Sequence, residues 1–109
     1  MRSAVAIVLM MTVVLWITPL MAGDAAAGKD LFAKKCASCH GPNGEGKETV
    51  AKLFNVELKP LASKEVQAKT DADLKKVSIE GSGKMKPVKD LDSKSADDIV
   101  AFVRSLAKK

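Results

Sequence analysis

Both cysteines of the chain and its single histidine stand in five consecutive positions, Cys36-Ala37-Ser38-Cys39-His40. No other feature limits the fold as strongly. On a helical turn, positions i, i+3 and i+4 share one face, so the two thiols and the imidazole converge on one object. Ala37 and Ser38 between them are small and leave the edge of a flat group room to approach. A C-x-x-C-H run of this form reads as the covalent attachment site of a c-type haem. Cys36 and Cys39 would add across the haem vinyl groups as thioethers, and His40 would reach the iron as proximal ligand.

Other chemistries fit the pentad less well. A structural zinc site takes four ligands, and the chain offers three good ones with no second Cys/His cluster. A redox C-x-x-C of the thioredoxin kind sits in a βαβ setting, whereas the surroundings here read as helical. A plain Cys36–Cys39 disulfide leaves His40 without a task.

The sixth iron position is a separate inference. Met85 is the one methionine after the leader and lies in Gly81-Ser82-Gly83-Lys84-Met85-Lys86-Pro87, away from any apolar stripe. A thioether is a soft ligand for iron, and no other good soft donor remains. His/Met ligation raises the reduction potential relative to harder ligand pairs. Lys84 or Lys86 would have to lose a proton to compete, which is costly for a solvated amine.

The chain has 109 residues, enough for one domain. Residues 1–23 read as a secretory signal peptide: Arg2 gives a positive start, Ala4 to Ile17 an uncharged apolar run, and Leu20-Met21-Ala22-Gly23 small residues for cleavage. Cleavage falls after Ala22 or Gly23, with Ala25 and Ala27 as alternatives. An uncleaved anchor is the competing reading, and membrane association is expected only in that case. Residues 24–109 form the domain. They keep three Phe and no Trp or Tyr, so a core this small needs support from a prosthetic group. Either way the domain is exported, and the cleaved form is expected in the periplasm.

The rest of the chain reads as all-α, with four or five short helices. Helical spacing runs from about Ala25 to Cys36. Gly41-Pro42-Asn43-Gly44-Glu45-Gly46 cannot continue a helix. One turn is expected within Thr49 to Phe54 and a short helix over Ser63 to Ala68. Thr70 and Asp73 form a capping pair that opens a helix reaching about Glu80. Leu74, Val77 and Ser78 face inward on it. The last helix begins between Ser93 and Ala96, with Ser95 and Asp98 as one capping pair. It places Ile99, Phe102, Val103 and Leu106 on one stripe, with Lys108 and Lys109 at its C-terminal dipole.

From about Ala27 to Leu106 the chain resembles a class I cytochrome c of the small bacterial periplasmic kind. In that family, a Gly and an aromatic residue on the first helix pack against an aliphatic and an aromatic residue on the last. Gly28 and Phe32 fit the first pair, and Ile99 and Phe102 the second. Phe102-Val103-Arg104-Ser105-Leu106 is similar to the C-terminal family signature, and Gly41 to Gly46 to the glycine-rich loop after the haem histidine. The resemblance implies N- and C-terminal helices crossing around one covalently bound haem. It also implies a proline carbonyl that accepts from the haem histidine, for which Pro60 is the candidate. Lys86 separates Met85 from Pro87, where the family often has Met followed directly by Pro.

The expected function is one-electron transfer between larger redox proteins of a respiratory or other electron-transport chain. With both axial positions filled by the protein, no substrate reaches the iron. A second histidine for acid–base chemistry is lacking, which argues against an enzyme. Sixteen lysines are spread along the chain, among them Lys34, Lys35, Lys47, Lys84, Lys86 and Lys89 near the haem-ligating segments. They favour acidic redox partners, membrane-bound oxidase or reductase complexes among them. Nucleic acid is not an expected partner, because Asp and Glu interleave the basic residues and stacking aromatics are missing.

Overall fold

The computed structural model describes residues 23–107; residues 1–22 of the expected leader, and Lys108 and Lys109, lie outside them. Six helical segments follow in order: α1 Ala25–Lys35, α2 Ala37–His40, α3 Glu48–Phe54, α4 Lys64–Gln67, α5 Asp71–Glu80 and α6 Ser93–Leu106. The count exceeds four or five because a further single turn, α2, forms just beyond the expected end of the first helix, after the chain leaves helical geometry at Cys36. Among the described residues the one β-type pairing is an isolated bridge between Ser82 and Met85.

Each longer helix starts where a side chain can satisfy its orphan N–H groups. Asp24 accepts from Ala26 and Ala27 at the start of α1. Thr70 accepts from Asp73 in α5, and Asp92 accepts from Ser95 in α6. The start of α6 therefore differs from the expected Ser95/Asp98 pair. Asp98 is drawn into the interface instead, and Asp92 is left to cap.

The core lies between α1 and α6. Phe32, Cys36, Ile99, Phe102, Val103 and Leu106 are buried together, and Leu31, Leu61, Val66, Leu74 and Leu91 pack against them. The expected stripe of α6 faces inward as a whole. Phe32 and Phe102 meet with ring centroids 5.1 Å apart and planes tilted by 54°, an arrangement aromatic pairs favour. Truncating a buried ring of this kind to Ala typically costs about 3–5 kcal/mol.

Gly28 sets how closely the two helices approach. A Cβ there would lie 1.8 Å from the Asp98 carbonyl oxygen and 3.0 Å from Phe102 Cβ. One turn earlier, the backbone N–H of Asp24 donates to Asp98 Oδ1 at 2.8 Å. In a capping box, the third helical residue reaches back to that N–H. Ala27 holds that position in α1 and has no acceptor, so α6 supplies one from across the interface.

A second polar junction ties the middle of the chain to α6. Arg104 donates to Asp71 at 2.8 Å and to the Gln67 carbonyl at 2.7 Å. The Gln67 amide donates to the carbonyls of Leu61 and Val103 at 2.8 and 3.0 Å.

Candidate functional site

The pentad forms one tight turn. Cys36 lies between α1 and α2, as the C-cap of the first and the N-cap of the second, and its carbonyl accepts from the N–H groups of Cys39 at 3.2 Å and His40 at 3.0 Å. Cys36 is buried, Cys39 is exposed, and both thiols are free. Burial pushes the Cys36 thiol up to about 11, against the pull of the Lys35 ammonium. Gly41 ends the turn with φ 78°, a conformation open to glycine at little cost. The loop then folds back, and Gly46 and Lys47 donate to the carbonyls of His40 and Cys39 at 2.7 and 3.0 Å. The glycine-rich loop thus fixes the ligand turn through backbone bonds.

His40 is half-buried, its ring 6.4 Å from that of Phe32. Burial lowers its pKa and favours the neutral ring. Its Nδ1 is buried without a hydrogen-bond partner. The bond expected from His40 to the Pro60 carbonyl is not formed here; that carbonyl accepts from Ser63 N–H at 2.9 Å. Pro60 is nevertheless close to the turn, because the next residue, Leu61, donates to the Gly44 carbonyl at 2.8 Å.

Met85 is held by backbone. Ser82 and Met85 exchange two hydrogen bonds of 2.9 Å each around the two-residue turn Gly83-Lys84, with Gly83 at φ 55°. Gly81 has φ 78°, and a Cβ on it would come within 2.5 Å of the Met85 carbonyl oxygen and 2.9 Å of Pro87. Val88 N–H donates to the Ser78 carbonyl of α5 at 3.0 Å. The loop is therefore pinned before and after the methionine, with Lys86 accommodated between Met85 and Pro87.

Cys36, Cys39, His40 and Met85 line a single cavity of about 630 Å³. Its apolar wall comes from Val50, Phe54, Val56, Leu58, Pro87 and Val88, and its polar rim includes Lys35, Lys84, Lys86, Lys89 and Glu57. Of the six lysines singled out in the sequence, Lys34 and Lys47 are not on this rim. Val50, Val56 and Leu58 were not legible as lining residues: Val50 and Phe54 share a face of α3, but the segment is too short for its spacing to say what that face covers.

The donor set suits a covalently attached haem. Two free thiols stand one turn apart beside an imidazole with a buried, unpartnered nitrogen, and a thioether opens on the same apolar space. Among the described residues, no group of three or more His, Cys, Asp or Glu side chains could hold a bare metal ion.

An all-α domain closed by its first and last helices over such a cavity has the architecture of a c-type cytochrome. The chain belongs to the family described as cytochrome c oxidase, cbb3-type, subunit III, which matches residues 23–103, and with it to the monohaem class I cytochromes c. It is 36% identical over 90 residues to cytochrome c-554(547) of Halothiobacillus neapolitanus, covering 78% of this chain and 99% of that protein. It is 47% identical over 38 residues to cytochrome c6 of Rippkaea orientalis (strain PCC 8801 / RF-1), covering 35% of this chain and 34% of that protein. The fold is similar to that of the KustC0563 c-type cytochrome, with a TM-score of 0.55 and 23% identity over 74% of this chain and 94% of that one. Family membership makes the protein an electron carrier rather than an enzyme and implies haem c as its cofactor.

Proposed function

We propose that the protein is a small exported carrier that takes one electron at a time from one larger redox protein to another. In this reading, haem c is bound through Cys36 and Cys39, with His40 and Met85 as axial ligands. The observation that carries it is the convergence of these four side chains on one apolar cavity. Bound there, the haem iron supplies a one-electron ferric/ferrous couple.

The protein's own residues set the conditions for that couple. Val50, Phe54, Val56 and Leu58 give the cavity an apolar wall, and an apolar surrounding would favour the less charged state of a bound redox centre. His40 and Met85, as ligands on an already shaped frame, leave no open position for a substrate. The buried Nδ1 of His40 needs an acceptor. The Pro60 carbonyl keeps a second lone pair beyond its bond to Ser63. A bond from His40 to that carbonyl would fix the ring's tautomer and raise its basicity.

Lys35, Lys84, Lys86 and Lys89 at the cavity rim favour acidic donors and acceptors. The family description names an oxidase, and a membrane-bound oxidase or reductase is one partner of the right kind. The chain covers nearly the full length of the Halothiobacillus cytochrome, which supports a free-standing carrier of the same small size. Removal of the leader would place it in the periplasm. Among the described residues, no helix is long and apolar enough to cross a membrane.

The test is the visible spectrum of the exported protein before and after acid–acetone extraction. Colour retained by the protein, with reduced absorption bands of a c-type haem, is the expected result. Colour lost to the solvent overturns covalent attachment through Cys36 and Cys39.

A further inference from the structure

Asp98 is the one charged side chain buried among the described residues, 5% exposed within the α1/α6 interface. Electron transfer gives it no task, and a buried carboxylate is costly unless it is paired and hydrogen-bonded. Its partners are the Asp24 N–H at 2.8 Å and Lys94 Nζ at 3.2 and 3.3 Å, but Lys94 is itself 77% exposed. The nearby charges are otherwise engaged. Asp97 pairs with Lys75 at 3.0 Å, and the Asp24 carboxylate accepts from Ala26 and Ala27. The bond from Asp24 holds the Asp98 carboxyl below its usual range, so it stays ionised at neutral pH.

Position 23 lies directly on the same stretch of α6. A Cβ at Gly23 would fall 2.1 Å from the Asp97 carbonyl oxygen and 2.7 Å from the Asp98 nitrogen. Adjacent backbone nitrogens are separated by at most about 3.6 Å, so the Gly23 nitrogen is no more than about 6.5 Å from Asp98 Oδ1.

We propose that the leader is cut between Ala22 and Gly23, and that Asp98 is the receptor for the ammonium group this frees. The inference rests on reading residues before Gly23 as a cleaved leader. An exported-protein peptidase would hydrolyse the Ala22–Gly23 amide. Water supplies the oxygen that makes Ala22 a carboxylate, and its protons go to the Gly23 nitrogen, which becomes –NH₃⁺. A positive charge then appears beside the buried carboxylate. A cut one residue later, after Gly23, would put the charge on the Asp24 nitrogen but would discard the close seat of Gly23 against Asp97 and Asp98. Cuts beyond that fit poorly. A cut after Ala25 removes Asp24 whole: the residue that caps α1, the N–H that donates to Asp98, and the carbonyl that accepts from Gly28 N–H at 2.9 Å. A cut after Ala27 removes these and the first residues of α1 as well.

The experiment uses the exported, haem-loaded protein. Its first residue is determined by intact mass and N-terminal sequencing. Its α-amine is then acetylated at mildly acidic pH, where lysines stay protonated. Unfolding is compared for wild type and Asp98→Asn, each with a free and an acetylated amine. Asn keeps the shape and can still accept from Asp24, so the variant should fold. The expected first residue is Gly23. Acetylation should lower the folding equilibrium constant about fivefold in wild type and much less in Asp98→Asn. An equal effect of acetylation in both backgrounds overturns the role of Asp98. A start at Ala26, Gly28 or any other internal residue overturns the cut while leaving a cleaved leader standing. A start at Met1 overturns the cleaved leader itself, and this proposal with it.

Discussion

Met85 depends on its neighbours' backbone more than on its own packing. The paired bonds between Ser82 and Met85, and the close seat of Gly81 under the loop, hold the residue in place. Loss of its side chain should therefore leave the loop folded and open the site. Met85→Ala is expected to bind carbon monoxide in the ferrous state, to lose the weak far-red charge-transfer band of the oxidised protein, and to show a lower reduction potential. Ready carbon monoxide binding by wild type, unchanged in the variant, would remove Met85 from the ligand set. Asp92 offers a different test. Its bond from Ser95 N–H holds its carboxyl below the ordinary value of about 3.9. A depressed carboxyl adds stability that is present above that value and is lost as the pH falls through the folded-state pKa. Asp92→Asn keeps a capping oxygen but not the charge, so the stability difference between pH 7 and pH 3 should shrink. A denaturant midpoint series at the two pH values measures it.

At the level of elements, the α1/α6 contact turns on a position without a side chain. Gly28→Ala puts a methyl group 1.8 Å from the Asp98 carbonyl oxygen. The two backbones must separate, and overpacking of this kind costs about 1–3 kcal/mol, read as a lower thermal midpoint. An unchanged midpoint would mean that the helices tolerate a wider spacing. The sequence exposed what is local and periodic. The pentad, the α6 stripe and the Thr70 cap each follow from side chains a few positions apart, and each matches the observed element. Asp98 was legible as a capping residue by spacing alone, yet its partner is Asp24, 74 positions away. No local pattern carries such a pairing. The end of the first helix near Cys36 was legible, but the turn α2 beyond it was not, because it is held by backbone bonds to the Cys36 carbonyl and from Gly46 and Lys47 of the returning loop. The cavity wall from Val50 to Leu58 was hidden because one short helix and the extended residues after it supply only four apolar side chains, too few for a periodic signal.

For the whole molecule, charge and shape act together. The full chain carries a formal net charge of +5, and four lysines stand at the rim of the cavity. The rate of electron transfer to an acidic partner should fall steeply with ionic strength, since exposed charges are screened over about 8–10 Å near physiological salt. Replacing Lys84, Lys86 and Lys89 by Glu should slow the reaction at low salt and weaken or reverse its salt dependence, as measured by stopped-flow mixing with an acidic redox protein. An unaltered salt slope would place the docking face elsewhere. Phe54 of α3, 42% exposed, lines the same cavity, and with its neighbour Leu53, 77% exposed, it gives a docked partner an apolar surface to cover.

The two helices that close the core are also the first and the last of the domain, and this orders events in time. Synthesis runs from the N-terminus, so α1 and the pentad exist before α6 has been made. Phe32 and Cys36 reach their burial only against Ile99, Phe102, Val103 and Leu106, and closing so long an intervening loop delays that step further. Until the final fourteen-residue helix is complete, the Cys36 thiol remains open to reagents. The fold thus orders access to the pentad: before α6 docks, the Cys36 thiol is open on all sides, and afterwards it is reached only from the cavity it lines.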